Sequence, residues 1–171
     1  NVKEAATLTG AAGAVTERIG IATAATNHNT RHPAVTAAWA TTLHRLTGGR
    51  FGLGLGRGLR PQLDAFGLPP VTTAQMEDFI GLMRRLWRGE TITGHDGPAG
   101  KYPQLKLDPG FDEDIPIGLT AFGPATLALA GRAADFVVLH TYFADETVKR
   151  CVAHVREAAE KAGRDPASVQ V

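Results

Sequence analysis

Residues 50–58 read RFGLGLGRG, and this stretch decides the fold. Phe51, Leu53 and Leu55 are its only large apolar side chains, and Gly52, Gly54, Gly56 and Gly58 fill the alternate positions. Successive residues of a strand point to opposite faces. The spacing therefore predicts a short buried strand, bulky on one face and bare backbone on the other, that runs into a glycine turn. Two readings of the bare face stay open. A flat ligand approaches the backbone there, or a helix packs tightly across the glycines.

Upstream, residues 33–46 predict a helix. Pro33 suits its first turn, and Val35, Ala38, Trp39, Thr42, Leu43 and Leu46 recur at intervals of three and four. Residues 18–26, RIGIATAAT, predict a buried strand of the parallel type, followed by a polar loop over 26–32. Residues 3–15 predict a helix that ends near Glu17. Downstream, Pro61, Pro69 and Pro70 mark 59–71 as a loop. A helix over 74–88 buries Met76, Phe79, Ile80, Met83, Leu86 and Trp87. Thr73 is its expected N-cap, with Glu77 one residue too late for a capping box. Residues 90–110 form an excursion with two strand-like pieces, 90–93 and 104–107. Strands at 115–120 and 135–141 flank a helix at 124–133. A helix over 145–163, with Val148, Val152, Val155 and Ala159 on one face, precedes the start of another strand at 169–171.

Strands and helices thus alternate, which implies right-handed crossovers and a parallel sheet. An open doubly wound sheet fits the 171 residues. A (β/α)8 barrel takes roughly 250 residues, so this chain would supply its middle half. The first residue is Asn1 rather than methionine and the last strand is cut at Val171. The expectation is an excerpt of a larger unit whose natural N-terminus is absent.

Lys+Arg number 18 against 17 Asp+Glu, a formal net charge of +1, so nothing in the charge recommends a nucleic-acid or membrane partner. Arg84, Arg85 and Arg88 read as a solvated helix face. Cys151 is the only cysteine, which excludes an intrachain disulfide and a thiolate cluster. Its helical context makes it a small core residue, and a cytoplasmic protein is expected.

In either architecture ligands collect at the C-terminal ends of the strands, here 23–28, 56–60, 120–123 and 140–143. The link Ala121-Phe122-Gly123-Pro124 leads from a strand into a helix. First-turn amides lack internal acceptors and the helix dipole adds positive potential, so a phosphate fits. An ordinary turn is the other reading. No dinucleotide fingerprint or Walker loop is present. His28 and His32 share a polar loop without a third ligand nearby, so no metal is expected. His28 is the candidate for proton handling, or else a surface histidine. His140 either faces the mouth or sits in the core. His44 falls on the polar side of its helix, and His95 and His154 lack supporting context.

Three segments carry a family resemblance: HPAVTAAWATTLHRLTGGRFGLGLGRG at 32–58, MEDFIGLMRRLWRGE at 76–90, and IPIGLTAFGPATLALAGRAADFVVLH at 115–140. Together they resemble the bacterial luciferase-like family of flavin-dependent monooxygenases and coenzyme F-420-dependent oxidoreductases. The resemblance implies a (β/α)8 TIM barrel, of which this chain is the third to sixth βα units with an insertion at 90–110. It implies coenzyme F-420 at the mouth, with FMN as the alternative, and a cis-peptide bulge at Thr23-Ala24 behind the ring. Thr26 would contact the ring or ribityl chain, Gly56 and Gly58 would lie beside the cofactor, and Ala121, Phe122 and Gly123 would hold its phosphate. His140 and Thr141 would lie near the tail or the substrate. Leu59 and Phe143 stand where sugar-phosphate dehydrogenases of the family have a glutamate and a lysine, so the implied small-molecule substrate is apolar. Three functions follow from the resemblance: hydride transfer with coenzyme F-420, an FMN-dependent monooxygenase, or a non-catalytic flavin-binding relative. A homodimer is expected on the same ground.

Overall fold

The computed structural model describes residues 4–108 and 110–171. In chain order these form α1 (Ala5–Ala14), β1 (Ile21–Ala22), α2 (Pro33–Leu46), β2 (Phe51–Leu55), α3 (Arg60–Ala65), α4 (Thr73–Trp87), β3 (Ile92–Gly97), β4 (Gly100–Leu105), β5 (Ile117–Thr120), α5 (Pro124–Ala133), β6 (Phe136–Val138) and α6 (Asp145–Lys161). Lys3, where the first helix was expected to begin, lies outside the described residues.

Four strands pair in parallel in the order β1-β2-β5-β6, with Ile21 beside Phe51, Leu53 beside Ile117 and Gly118 beside Phe136. Spatial order follows chain order throughout. A doubly wound sheet reverses direction at a switch point, whereas a barrel wall does not, and the sheet is half of a barrel. Gln170 adds a further parallel bridge to Phe136, in place of the full strand expected over 169–171. Among the described residues no helix is long and apolar enough to cross a membrane.

Every position of β2 is buried. Phe51, Leu53 and Leu55 join the core with Met76, Phe79, Met83 and Trp87 of α4. The glycine face is filled by something neither reading named. The ring of Phe136 lies where side chains on Gly52 and Gly118 would be, and a Cβ on Gly54 would overlap the carbonyl oxygen of Thr23. The bare backbone in the lower part of β2 serves close packing against a ring and a neighbouring strand.

Several boundaries differ from expectation for identifiable reasons. The strand expected over 18–26 pairs only at Ile21–Ala22 before a bulge, and Thr26 rejoins the sheet by a bridge to Leu55. It stands at the edge of the described sheet, with Ala22 and Ile19 exposed rather than buried. In α2 the buried residues are Pro33, Thr36, Ala37, Ala40, Leu43 and His44, so the inward face is rotated by about one residue. Val35 and Leu46 are each 54% exposed. Small side chains let α2 approach α4 closely enough for Trp87 Nε1 to reach the Ala37 carbonyl at 3.4 Å.

The loop expected at 59–71 contains α3, whose Arg60 pairs with Asp64 one turn on at 2.8 Å. The N-cap of α4 is Thr72, which completes a capping box with Gln75. The two strand pieces of the excursion extend into a hairpin joined at Gly97 and Gly100. Strand β6 stops at Val138 instead of 141. At its start the Asp135 carboxylate takes the Ile117 amide at 2.8 Å and Arg84 Nη2 at 2.9 Å, so Arg84 is tied to the sheet while Arg85 pairs with Glu90 at the surface. Cys151 is buried with Val155 and Ala159 on the inner face of α6.

Candidate functional site

The C-terminal ends of β1, β2 and β5 enclose a cleft of about 710 Å³, lined by Ala24, Ala25, Gly56, Arg57, Gly58, Leu59, Thr120, Phe122, Gly123 and Thr126, with Asn27 and Gln62 at its side. A second hollow of about 600 Å³ adjoins it through Ala25, Asn27 and Gln62 and is bounded by Thr26, Arg31 and Phe66. Both volumes suit a small organic ligand.

The β1 side is built by Thr23. Its buried hydroxyl accepts the Gly54 amide at 2.9 Å and donates to the Gly54 carbonyl at 2.7 Å. That pairing consumes the Thr23 side chain, and the residue lines neither hollow. The bulge therefore turns one residue later than expected, with the cis peptide between Ala24 and Ala25. These two residues are exposed into the cleft. Thr26 resumes pairing, its amide on Gly54 O at 3.0 Å and its carbonyl on the Gly56 amide at 2.9 Å. Its Oγ1 accepts from Arg31 Nη1 at 3.3 Å.

The loop after β1 turns through a short 3₁₀ segment, His28–Thr30. This carries the His28 ring away from the mouth and against Phe79, with centroids 5.4 Å apart. His28 is buried, and that burial holds its pKa below the ordinary histidine value. It lines neither hollow, so the structure does not bring the expected proton-handling residue to the site. His44 also differs from the polar helix side expected for it. His44 is buried, with Nε2 3.3 Å from Glu113. His95 bonds Asp78 at 3.0 Å and stacks on Tyr102.

At the end of β2, Gly56 faces Ala25 and Thr120. Gly58 takes a positive φ of 77°, which glycine adopts at little cost. Between them stands Arg57, which sequence reasoning passed over. Its Nε donates to Thr126 Oγ1 at 2.9 Å and its Nη1 to Val71 O at 2.7 Å, while Nη2 bonds Thr73 Oγ1. All three acceptors are neutral, and among the described residues no carboxylate pairs with Arg57. Burial lowers its pKa from the usual arginine value, and the group remains cationic. The signal was its position, a charge set between Gly56 and Gly58.

On the β5 side, Thr120 Oγ1 is buried and has no hydrogen-bond partner among the described residues. Ala121 is buried, its amide donates to Val138 O at 3.1 Å, and it lines neither hollow. Phe122 is 50% exposed at the rim. Gly123 caps α5, and a side chain there would meet nothing within 4 Å. The first bonded amides of α5 are those of Thr126 and Leu127, both on Gly123 O. At the β6 end, His140 and Thr141 are exposed and line neither hollow. The His140 ring meets Phe122 edge-on at 5.2 Å and lies 5.7 Å from Phe143, forming an aromatic margin beside the cleft.

The chain is 36% identical over 160 residues to 5,10-methylenetetrahydromethanopterin reductase of Methanolobus tindarius, covering 91% of this chain and 47% of that one. Among solved structures it is similar to the coenzyme F420 dependent tetrahydromethanopterin reductase of Methanopyrus kandleri, with TM-score 0.87 and 24% identity over 98% of this chain and 52% of the other. It also resembles an F420-dependent secondary alcohol dehydrogenase, with TM-score 0.84 and 25% identity over 99% of this chain and 53% of that one. The chain thus spans about half the length of the relatives it matches. With parallel half-barrel, glycine-lined mouth and a family model that matches residues 1–171, the chain belongs to the luciferase-like monooxygenase family.

Proposed function

We propose that the protein is an oxidoreductase that binds coenzyme F-420 in the cleft at the strand ends and acts on an apolar organic substrate. The carrying observation is the cleft's lining, which among the described residues holds one cation, no carboxylate, and an open glycine where β5 passes into α5. The similarity to F420-dependent enzymes supports the choice of cofactor. FMN is the second reading, favoured by the family's monooxygenase members.

When bound, coenzyme F-420 supplies hydride chemistry that no side chain possesses. The chain's part is to bind, orient and exclude water. Ala24 and Ala25 present a low wall without bulky side chains. Gly56 and Gly58 leave room along the end of β2. Thr120 Oγ1 offers a buried hydrogen-bonding group, whose lack of a protein partner is costly unless a ligand or water meets it. Gly123 and the first turn of α5 receive a phosphate. Leu59 and Phe122, 73% and 50% exposed, give the rim an apolar surface that keeps water from the reacting atoms and suits an apolar substrate.

Titration with coenzyme F-420 and with FMN, followed by ring fluorescence and thermal shift, tests the proposal. Tighter binding of coenzyme F-420 supports the first reading and tighter binding of FMN the second. Absence of binding by both overturns the cleft as a cofactor site.

A further inference from the structure

We propose that the groove at the base of the sheet, at the end opposite the cleft, is a second binding site and takes a phosphate monoester. The inference is independent of the cofactor reading.

The groove holds about 440 Å³ and lies where α4 passes the end of α5 and the turn after α6. One wall is a stripe of α4. Glu77, Gly81, Arg84 and Arg88 follow at intervals of four, three and four, so they share a helix face. Arg132, Asp135 and Arg164 form the other wall. Four guanidiniums thus meet two carboxylates, and both carboxylates are engaged. Glu77 receives the fork of Arg132 through both oxygens at 2.7 Å. Asp135 takes Arg84 Nη2 and the Ile117 amide. Arg164 Nη2 stands 3.9 Å from Asp135, beyond hydrogen-bond distance. Among the described residues the exposed Arg88 side chain has no hydrogen bond or ion pair, and nearby Glu90 is held through both oxygens by Arg85. Two positive charges are therefore left over in one groove. A phosphate monoester carries about −1.5 to −2 near neutral pH, and guanidinium forks match its oxygens. The volume leaves room for a small organic body beside the phosphoryl group.

The floor gives a second, independent sign. Gly81 sits mid-helix, where glycine is unfavourable, and a side chain there would meet nothing within 4 Å. Packing does not require the glycine; its bare backbone opens the groove between Glu77 and Arg84. Capping of α5 explains part of the cluster, since Arg84 Nη2 and Arg164 Nη1 donate to Ala133 O and Gly131 O at 3.0 and 2.7 Å. It accounts for neither Arg88 nor Gly81. Arg88 at the end of α4 also suits that helix's dipole, a role the test separates.

Calorimetric titration of the full chain with glycerol 3-phosphate, inorganic phosphate, citrate and uncharged glycerol tests the site. Wild type is expected to bind glycerol 3-phosphate with a Kd of about 1 mM or below, inorganic phosphate more weakly, and glycerol not at all. Affinity should fall as salt rises. Arg88→Gln and Arg164→Gln should each weaken glycerol 3-phosphate about 10-fold. Arg88→Gln removes no bond among the described residues, so it remains decisive if Arg164→Gln does not fold. Gly81→Met should weaken binding as much while denaturant unfolding shows a fold at least as stable, because methionine suits a helix and finds open space there. Gly123→Asp, at the other end of the strands, should leave the titration unchanged. A signal lost in Gly123→Asp and kept in Arg88→Gln would assign the phosphate to the cleft and overturn the inference. Wild-type affinity in both Arg88→Gln and Gly81→Met would reduce Arg88 to its part in the helix dipole and overturn it too. Citrate binding as tightly as glycerol 3-phosphate would reject the phosphate assignment, and no heat from either phosphate up to about 10 mM would reject the site.

Discussion

Thr23 Oγ1 bonds both the amide and the carbonyl of Gly54, at 2.9 and 2.7 Å, so a single hydroxyl closes both polar groups of a residue in the adjacent strand. This pairing ends the regular part of β1 and starts the bulge that lines the cleft. It also requires glycine at 54. A Cβ there would overlap Thr23 O, and backbone is the neighbour that would have to move. Gly54→Ala should cost on the order of 3 kcal/mol, as overpacking of a tight site does. Thr23→Val leaves the Gly54 amide unpaired, while the Gly54 carbonyl keeps the Thr26 amide, and should cost about 1–3 kcal/mol. Denaturant unfolding measures both; a midpoint equal to wild type for Gly54→Ala would contradict the packing described here.

His28 gives stability a definite pH dependence. Its folded-state pKa is lowered from 6.5 by desolvation, so the unfolded chain binds the proton more readily. Stability from a neutral buried His28 is therefore complete above about pH 6.5 and declines as the pH falls below it. His28→Phe should remove this component and flatten the profile between pH 7.5 and 5. A slope unchanged in the variant would show that His28 is not the group responsible.

Gly123 separates space from charge. Its φ of −111° is accessible to any residue, and a side chain would meet no atom within 4 Å. Gly123→Ala should change stability by no more than about 0.5 kcal/mol. Gly123→Asp should fold equally well yet weaken cofactor binding by repulsion at the phosphate. Calorimetric titration of both variants checks this, and equal affinity in Gly123→Asp and wild type would remove the phosphate from the start of α5.

Asp135 fastens the base of the sheet to α4. Its carboxylate receives both the Ile117 amide and Arg84 at 2.8 to 3.0 Å. Asp135→Ala should destabilise by about 1–3 kcal/mol, because a half-buried amide and guanidinium lose their acceptor. Urea unfolding alongside Arg84→Ala in a double-mutant cycle reads the coupling; strict additivity would mean that the two residues do not interact.

The periodicities of 2 and 3.6 were enough for the order of the elements apart from α3, and for most of the large core residues of α4. They rest on alternation along the chain, which any reader of the sequence can see. Where side chains are small the pattern is weak. In α2, alanine and threonine alternate with few large residues, and the inward face was misplaced by about one position. His44 was assigned to the wrong side for the same reason. The short 3₁₀ turn at 28–30 leaves no apolar period, so the direction of the His28 ring was not readable.

The sequence by itself determined a parallel α/β chain and a glycine-rich strand end, because these depend on local residue type and spacing. Only the tertiary structure decided what fills the glycine face, which way His28 turns, and that Arg57 is held by neutral acceptors beside α5. Phe136 and Gly52 are distant in the chain, as are Arg57 and Thr126, and such pairs meet only through the register of neighbouring strands. No local pattern encodes that register, so the residue that charges the cleft became visible only when the sheet was assembled.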